Sequence, residues 1–198
     1  MHNLQEVFER INLINSEDER RLTDPDTGTA LPQEVLYSKR MTHWLSVLAP
    51  NASEELRVAV FAQHIARFKH PRKTYPEGRT GYLKWKAALL QIHAETTAAL
   101  LEELKFPTEF IARVSKLLKK QGLGRDPETQ ILEDCACLVF IEMFYMDFAP
   151  TQDREKMIDI VQKTLRRMSD SAKEHAMKLP AAVHVAKLLE SSSAPQEK

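Results

Sequence analysis

The chain has 198 residues, 43% apolar and 28% charged, a composition that fits one globular domain with a substantial core. Its 28 lysines and arginines balance 28 aspartates and glutamates, which removes the bulk electrostatic case for nucleic acid or an anionic membrane as a partner. No apolar run approaches the ~18 residues that span a bilayer, and the start, Met-His-Asn-Leu-Gln-Glu-Val-Phe-Glu-Arg, has neither the order of a signal peptide nor the acid-poor character of a transit peptide.

Five glycines, no β-branched alternation and apolar residues at three- and four-residue spacing predict an all-α fold, a single helical domain over residues 1–190 with its core at about 33–168. A first helix is expected over about 3–15, followed by the polar loop Thr23-Asp24-Pro25-Asp26-Thr27-Gly28-Thr29. The next helix runs from about Gln33 to Leu48 and stops before Pro50. Asn51 or Ser53 can cap a third, expected to reach about Phe68. After a loop at 71–80 the longest helix is expected from about Gly81 to Leu104. A short one from Thr108 ends near Gln121-Gly122, and Asp126-Pro127-Glu128 restarts a helix that reaches about Phe148. Helices opening at Thr151, Ser169 and after Pro180 complete the bundle, and residues 191–198 read as a disordered tail. Cys135 and Cys137 lie two apart, about 200° around a helix, so they are poorly placed to pair, and a reducing cytoplasm is expected.

Three of these helices turn a metal-ligand side chain toward an apolar stripe. His64 has Val60, Phe61 and Phe68 on its side, His93 has Leu89, Leu90 and Leu100, and Asp134 is bracketed by Ile131, Leu138 and Ile141. A carboxylate on such a stripe is costly to bury without a cation or several donors. Neutral imidazole and carboxylate suit zinc, iron or manganese, so one divalent ion of open identity on His64, His93 and Asp134 is expected, with Glu133 or Glu95 as proton acceptor. Each histidine alone reads more readily as a packed core residue than as a ligand, and Asp134 reads also as an acceptor in a structural network. Around the loop at 71–80, Arg67, Arg72, Arg79 and Lys84 are interleaved with Tyr75, Tyr82 and Trp85. Guanidinium groups grip phosphate and rings stack on bases, so Arg67, Arg72, Tyr75, Arg79 and Lys84 are the expected substrate-binding residues. The bland alternative is a rigid corner with its tyrosines packed on the bundle.

The run Ala59-Val60-Phe61-Ala62-Gln63-His64-Ile65-Ala66-Arg67 resembles the helix of the HD superfamily, metal-dependent phosphohydrolases named for an adjacent His-Asp pair. Gln63 stands where that family has histidine and His64 where it has aspartate. Tyr37-Ser38-Lys39-Arg40-Met41 is similar to the family's first histidine segment with Tyr37 replacing the histidine, while His93 and Asp134 fit the later histidine and the last aspartate. The resemblance spans about 35–145 and implies an HD-like helical bundle. The replaced residues imply one ion in place of a binuclear site. A second, more specific resemblance lies in Gln63-His64, Tyr75-Pro76-Glu77-Gly78-Arg79-Thr80-Gly81-Tyr82-Leu83-Lys84-Trp85, His93-Ala94-Glu95 and Leu132-Glu133-Asp134-Cys135-Ala136-Cys137-Leu138-Val139-Phe140. It is to a family of uncharacterised proteins, a domain of unknown function, and it implies no activity.

The function these readings imply is hydrolysis of a phosphorylated small molecule or nucleotide by one metal ion, with no membrane and no nucleic acid as partner and with the oligomeric state open. The alternative is a non-catalytic helical module that binds a nucleotide, phosphate ester or protein.

Overall fold

The computed structural model describes residues 3–190, so the expected tail at 191–198 lies outside the described residues. The all-α expectation holds. The helices are α1 (Leu4–Ser16), α2 (Gln33–Leu48), α3 (Glu54–Phe61), α4 (Gly78–Glu103), α5 (Thr108–Leu118), α6 (Pro127–Val139), α7 (Tyr145–Phe148), α8 (Arg154–Arg167), α9 (Asp170–Ala176) and α10 (Ala182–Glu190). No helix among the described residues is long and apolar enough to cross a membrane. The chain divides into two compact units, one ending at Leu132 and one beginning at Glu133.

Side chains placed at the helix starts explain several boundaries. Ser53 accepts the N–H of Leu56 at 3.1 Å, Asp153 that of Lys156 at 2.8 Å and Ser169 that of Ala172 at 3.2 Å, each satisfying a donor that has no helical partner. Asp126 accepts the N–H of Glu128 at 3.1 Å, and its carboxylate and that of Glu128 are both gripped by Arg113 of α5. In the first unit, α4 packs on α5, α5 on α3, and α3 on α2. The core between them is Leu36, Met41, Leu56, Ile65, Leu101 and Leu117, all nearly or fully buried.

The structure adds to or changes the local expectations at four places. The loop at 23–29 is the turn of a two-stranded antiparallel hairpin, β1 (Arg21–Thr23) paired with β2 (Ala30–Pro32). The Asp24 carboxylate organises that turn by accepting the Asp26 N–H at 3.0 Å and the Thr27 hydroxyl at 3.1 Å, and it pairs with Lys39.

The third helix stops at Phe61, seven residues short of the expected Phe68. The Phe61 carbonyl accepts the Ser38 hydroxyl at 2.8 Å, and the Ala66 N–H donates to the buried Asn15 side chain at 3.0 Å. Side chains of α1 and α2 thus occupy backbone groups that a longer helix would use internally, and Ala66 takes a left-handed φ of 54°. His64 sits on the resulting turn and not on a helix.

The long helix α4 begins at Gly78, three residues early. Gly81 in its first turn meets the Pro76 carbonyl so closely that a Cβ would lie 1.7 Å from that oxygen. Only glycine fits there. In the second unit, the helix expected to run to Phe148 contains a π-helical turn at Phe140–Phe144 between α6 and α7.

Candidate functional site

The first unit buries a polar cluster built on Glu34. This acid is in the first turn of α2, is fully covered, and shares a helix face with Tyr37, Ser38 and Met41 at plus three, plus four and plus seven. The turn after α3 brings His64 to it, with Nδ1 3.0 Å from Glu34 Oε2. The Tyr37 ring lies flat against the His64 ring, 3.5 Å between centroids and 7° between planes. His93, from the middle of α4, completes the group with its ring centroid 5.9 Å from that of His64.

Two guanidinium groups approach the other oxygen of Glu34. Arg20 Nη2 is 2.7 Å from Oε1, and the same side chain clamps Asp18 through two hydrogen bonds of 2.9 and 2.8 Å. Arg67 Nη1 is 3.6 Å from Oε1. The Arg67 guanidinium sits 5.1 Å over the Trp85 ring, and the indole N–H of Trp85 donates to the His70 carbonyl at 2.9 Å. Trp85 and His93 are eight residues apart on α4, two turns along one face.

Burial alone would raise the Glu34 carboxyl, but the His64 ring, Arg67 and Arg20 more than offset this and hold it at about 2. Burial, then the charge of Arg67, pushes His64 down to about 4 against the upward pull of Glu34. Burial also pushes His93 well below its ordinary value, with His64 and Arg67 adding to it. Near neutral pH both imidazoles are therefore uncharged, and the two guanidinium groups carry the charge balance of Glu34. An ionised carboxylate only accepts, so the His64 proton sits on Nδ1 and Nε2 keeps its lone pair. His93 Nε2 and Gln63 Oε1 are buried with no hydrogen-bond partner among the described residues, a costly state that invites a ligand.

Asp134 is buried in α6 of the second unit, where its Oδ1 accepts the Ser169 N–H at 2.8 Å. Glu133, beside it, pairs with Arg167 at 2.7 Å and accepts from the Cys137 thiol at 3.8 Å. Glu95 is exposed and takes the Gln91 amide. Arg72 donates to the carbonyls of Tyr75 at 2.9 Å and Gly78 at 3.2 Å, so it braces its own loop. Tyr75 is half-buried, and Arg79 and Lys84 are exposed at the start of α4. Among the described residues no three His, Cys, Asp or Glu side chains are grouped to hold a metal ion.

Glu34, Arg20 and Lys120, whose charge is felt at both imidazoles, were not expected from the sequence. The signal for Glu34 was available: an acid at position i of an otherwise apolar i, i+3, i+7 stripe. It reads more readily as a helix-dipole acid of the first turn.

The protein is thus all-α, with a buried carboxylate–histidine pair and a second histidine whose Nε2 has no partner among the described residues. The chain belongs to the family described as a domain of unknown function (DUF4202), whose model matches residues 5–189. No curated protein and no solved structure matches the chain.

Proposed function

We propose that the protein is a hydrolase of a phosphorylated small molecule or nucleotide, assisted by one divalent metal ion and HD-like in its scheme. The observation that carries this reading is the unpartnered, buried Nε2 of His93 beside a His64 whose Nδ1 is tied to Glu34. Histidines that ligate metals characteristically give their other ring nitrogen to a carboxylate, which fixes the tautomer. The spacing fits as well. With ion–nitrogen bonds near 2 Å each ring centroid lies about 3.2 Å from the ion, so two such rings stand about 5–6 Å apart, and the observed value is 5.9 Å.

In this reading His64 and His93 hold the ion. A bound ion contributes Lewis acidity toward a phosphoryl oxygen and a more acidic water. Glu34 orients His64, Tyr37 fixes the plane of its ring, and Arg67 offers donors to the phosphate. The two free, buried cysteines fit the reducing cytoplasm in which the protein is proposed to work.

Elemental analysis of the purified protein, with a hydrolysis screen over phosphate esters and nucleotides, tests this directly. About one equivalent of metal per chain is expected, with metal and turnover both lost in His93→Ala. Metal-free protein whose turnover ignores His93→Ala would defeat it.

A specific observation favours a second reading. Arg67 and Lys120 place positive charge around both imidazoles, which disfavours a cation and favours an anion. On that basis the site is a non-catalytic receptor for a nucleotide or phosphate ester. Thermal shifts by ligand that survive EDTA treatment would support it, because a ligand at a hundred times its Kd adds about 2.7 kcal/mol.

A further inference from the structure

Arg67 differs from the other cations of the site in what its guanidinium does. Arg20 is bound bidentately to Asp18 and also reaches Glu34. Arg72 is spent on two loop carbonyls. Arg67 makes no side-chain hydrogen bond among the described residues: its approach to Glu34, 3.6 Å, exceeds hydrogen-bond range. Its side chain is nevertheless only 23% exposed, and the group is held by the Trp85 face 5.1 Å below it. Trp85 is itself anchored to the His70 carbonyl.

A guanidinium with five unused donors, mostly withdrawn from water and fixed by an aromatic ring, is preorganised for an incoming anion. Glu34 supplies counter-charge at 3.6 Å but not a hydrogen bond. A second, independent sign of a ligand lies in the same cluster: the buried Nε2 of His93, 3% exposed as a residue and unpartnered. Arg67 is close enough to His93 for its charge to depress that ring.

We infer that Arg67 is the oxyanion receptor of this site and that its ligand is the terminal phosphate of a phosphomonoester. The inference rests on the reading of the cluster as a site for phosphorylated ligands and names the residue and substrate class within it. The guanidinium fork matches two oxygens of a tetrahedral anion. The dianionic end of a monoester gains more from the Arg67 charge than the single charge of a diester does.

The test is calorimetric titration of the full chain with inorganic phosphate and, separately, dimethyl phosphate, with and without EDTA. Wild type is compared with Arg67→Lys, which keeps the charge and loses the fork, and with Arg67→Gln, each checked by its melting curve. Expected are binding of inorganic phosphate in preference to dimethyl phosphate, a loss of about tenfold or more in Arg67→Gln, and a severalfold loss in Arg67→Lys. Wild type that binds neither ion, that prefers the diester, or that is matched by a folded Arg67→Lys overturns the assignment. Metal content and ester hydrolysis are measured on the same preparations. Phosphate binding that depends on Arg67 in a metal-free, inactive protein would remove the hydrolase reading and leave the receptor. Turnover of a phosphate ester unaffected by Arg67→Lys would do the reverse.

Discussion

Glu34 Oε2 and His64 Nδ1 are 3.0 Å apart, although the two residues lie thirty positions apart on separate elements. One end of the imidazole is thereby committed, and the chemistry of the site falls to Nε2. Glu34→Ala removes the counter-charge of Arg20 and Arg67 together with the acceptor for His64, and a loss of about 3–5 kcal/mol is expected. Glu34→Gln keeps an acceptor and the shape, and should cost about 1–3 kcal/mol. Denaturant melts measure both. Nitrogen chemical shifts of His64 should show the proton on Nδ1 in wild type, and a proton on Nε2 instead would contradict the assignment.

Acid should destabilise this protein early. His64 titrates at about 4 when folded against an ordinary 6.5, so between those values the unfolded chain takes up a proton that the folded one refuses. Stability is present above 6.5 and is lost as pH falls toward 4. The full depression corresponds to roughly 3 kcal/mol, discounted to about 2 kcal/mol because 20% of the side chain remains exposed. His93 adds in the same direction. The melting temperature should fall by about 4–8 °C from pH 7 to pH 4.5 through His64 alone, and His64→Gln should flatten that limb. A His64→Gln profile parallel to wild type would contradict the shift.

The close approach at the start of α4 makes Gly81 irreplaceable. Gly81→Ala sets a Cβ 1.7 Å from a backbone oxygen, so the Tyr75–Pro76 turn or the helix must move. A cost of about 3 kcal/mol or more is expected, read as a lower denaturation midpoint. A change under about 0.5 kcal/mol would show that the turn yields freely.

The turn that carries His64 is strained at one residue. Ala66 adopts φ 54°, a region where a Cβ costs about 1–2 kcal/mol. Ala66→Gly should stabilise by up to about 1 kcal/mol, after the extra freedom of the unfolded glycine is subtracted. A clear loss of stability would mean that the buried Ala66 methyl matters more than its backbone.

The sequence expectations succeed where local chemistry decides the structure. Gln33–Leu48 is legible because Pro32 and Pro50 bracket an amphipathic run, and the restart at Asp126-Pro127 because cap and proline coincide. The end of α3 is not legible, because the groups that stop it, Ser38 and Asn15, come from other elements. The strands at 21–23 and 30–32 are too short to show alternation. His93 could be read as buried from its apolar neighbours. The burial of Glu34 could not be told from helix-end electrostatics, since a first-turn acid satisfies both.

Cobalt(II) titration of EDTA-treated protein, followed by visible absorption, probes the His64–His93 pair most directly. Expected are d–d bands that saturate near one equivalent, weaken in His93→Ala and in His64→Gln, and compete with zinc. Wild-type protein that shows no bands at any cobalt concentration, or bands indifferent to both substitutions, would contradict it.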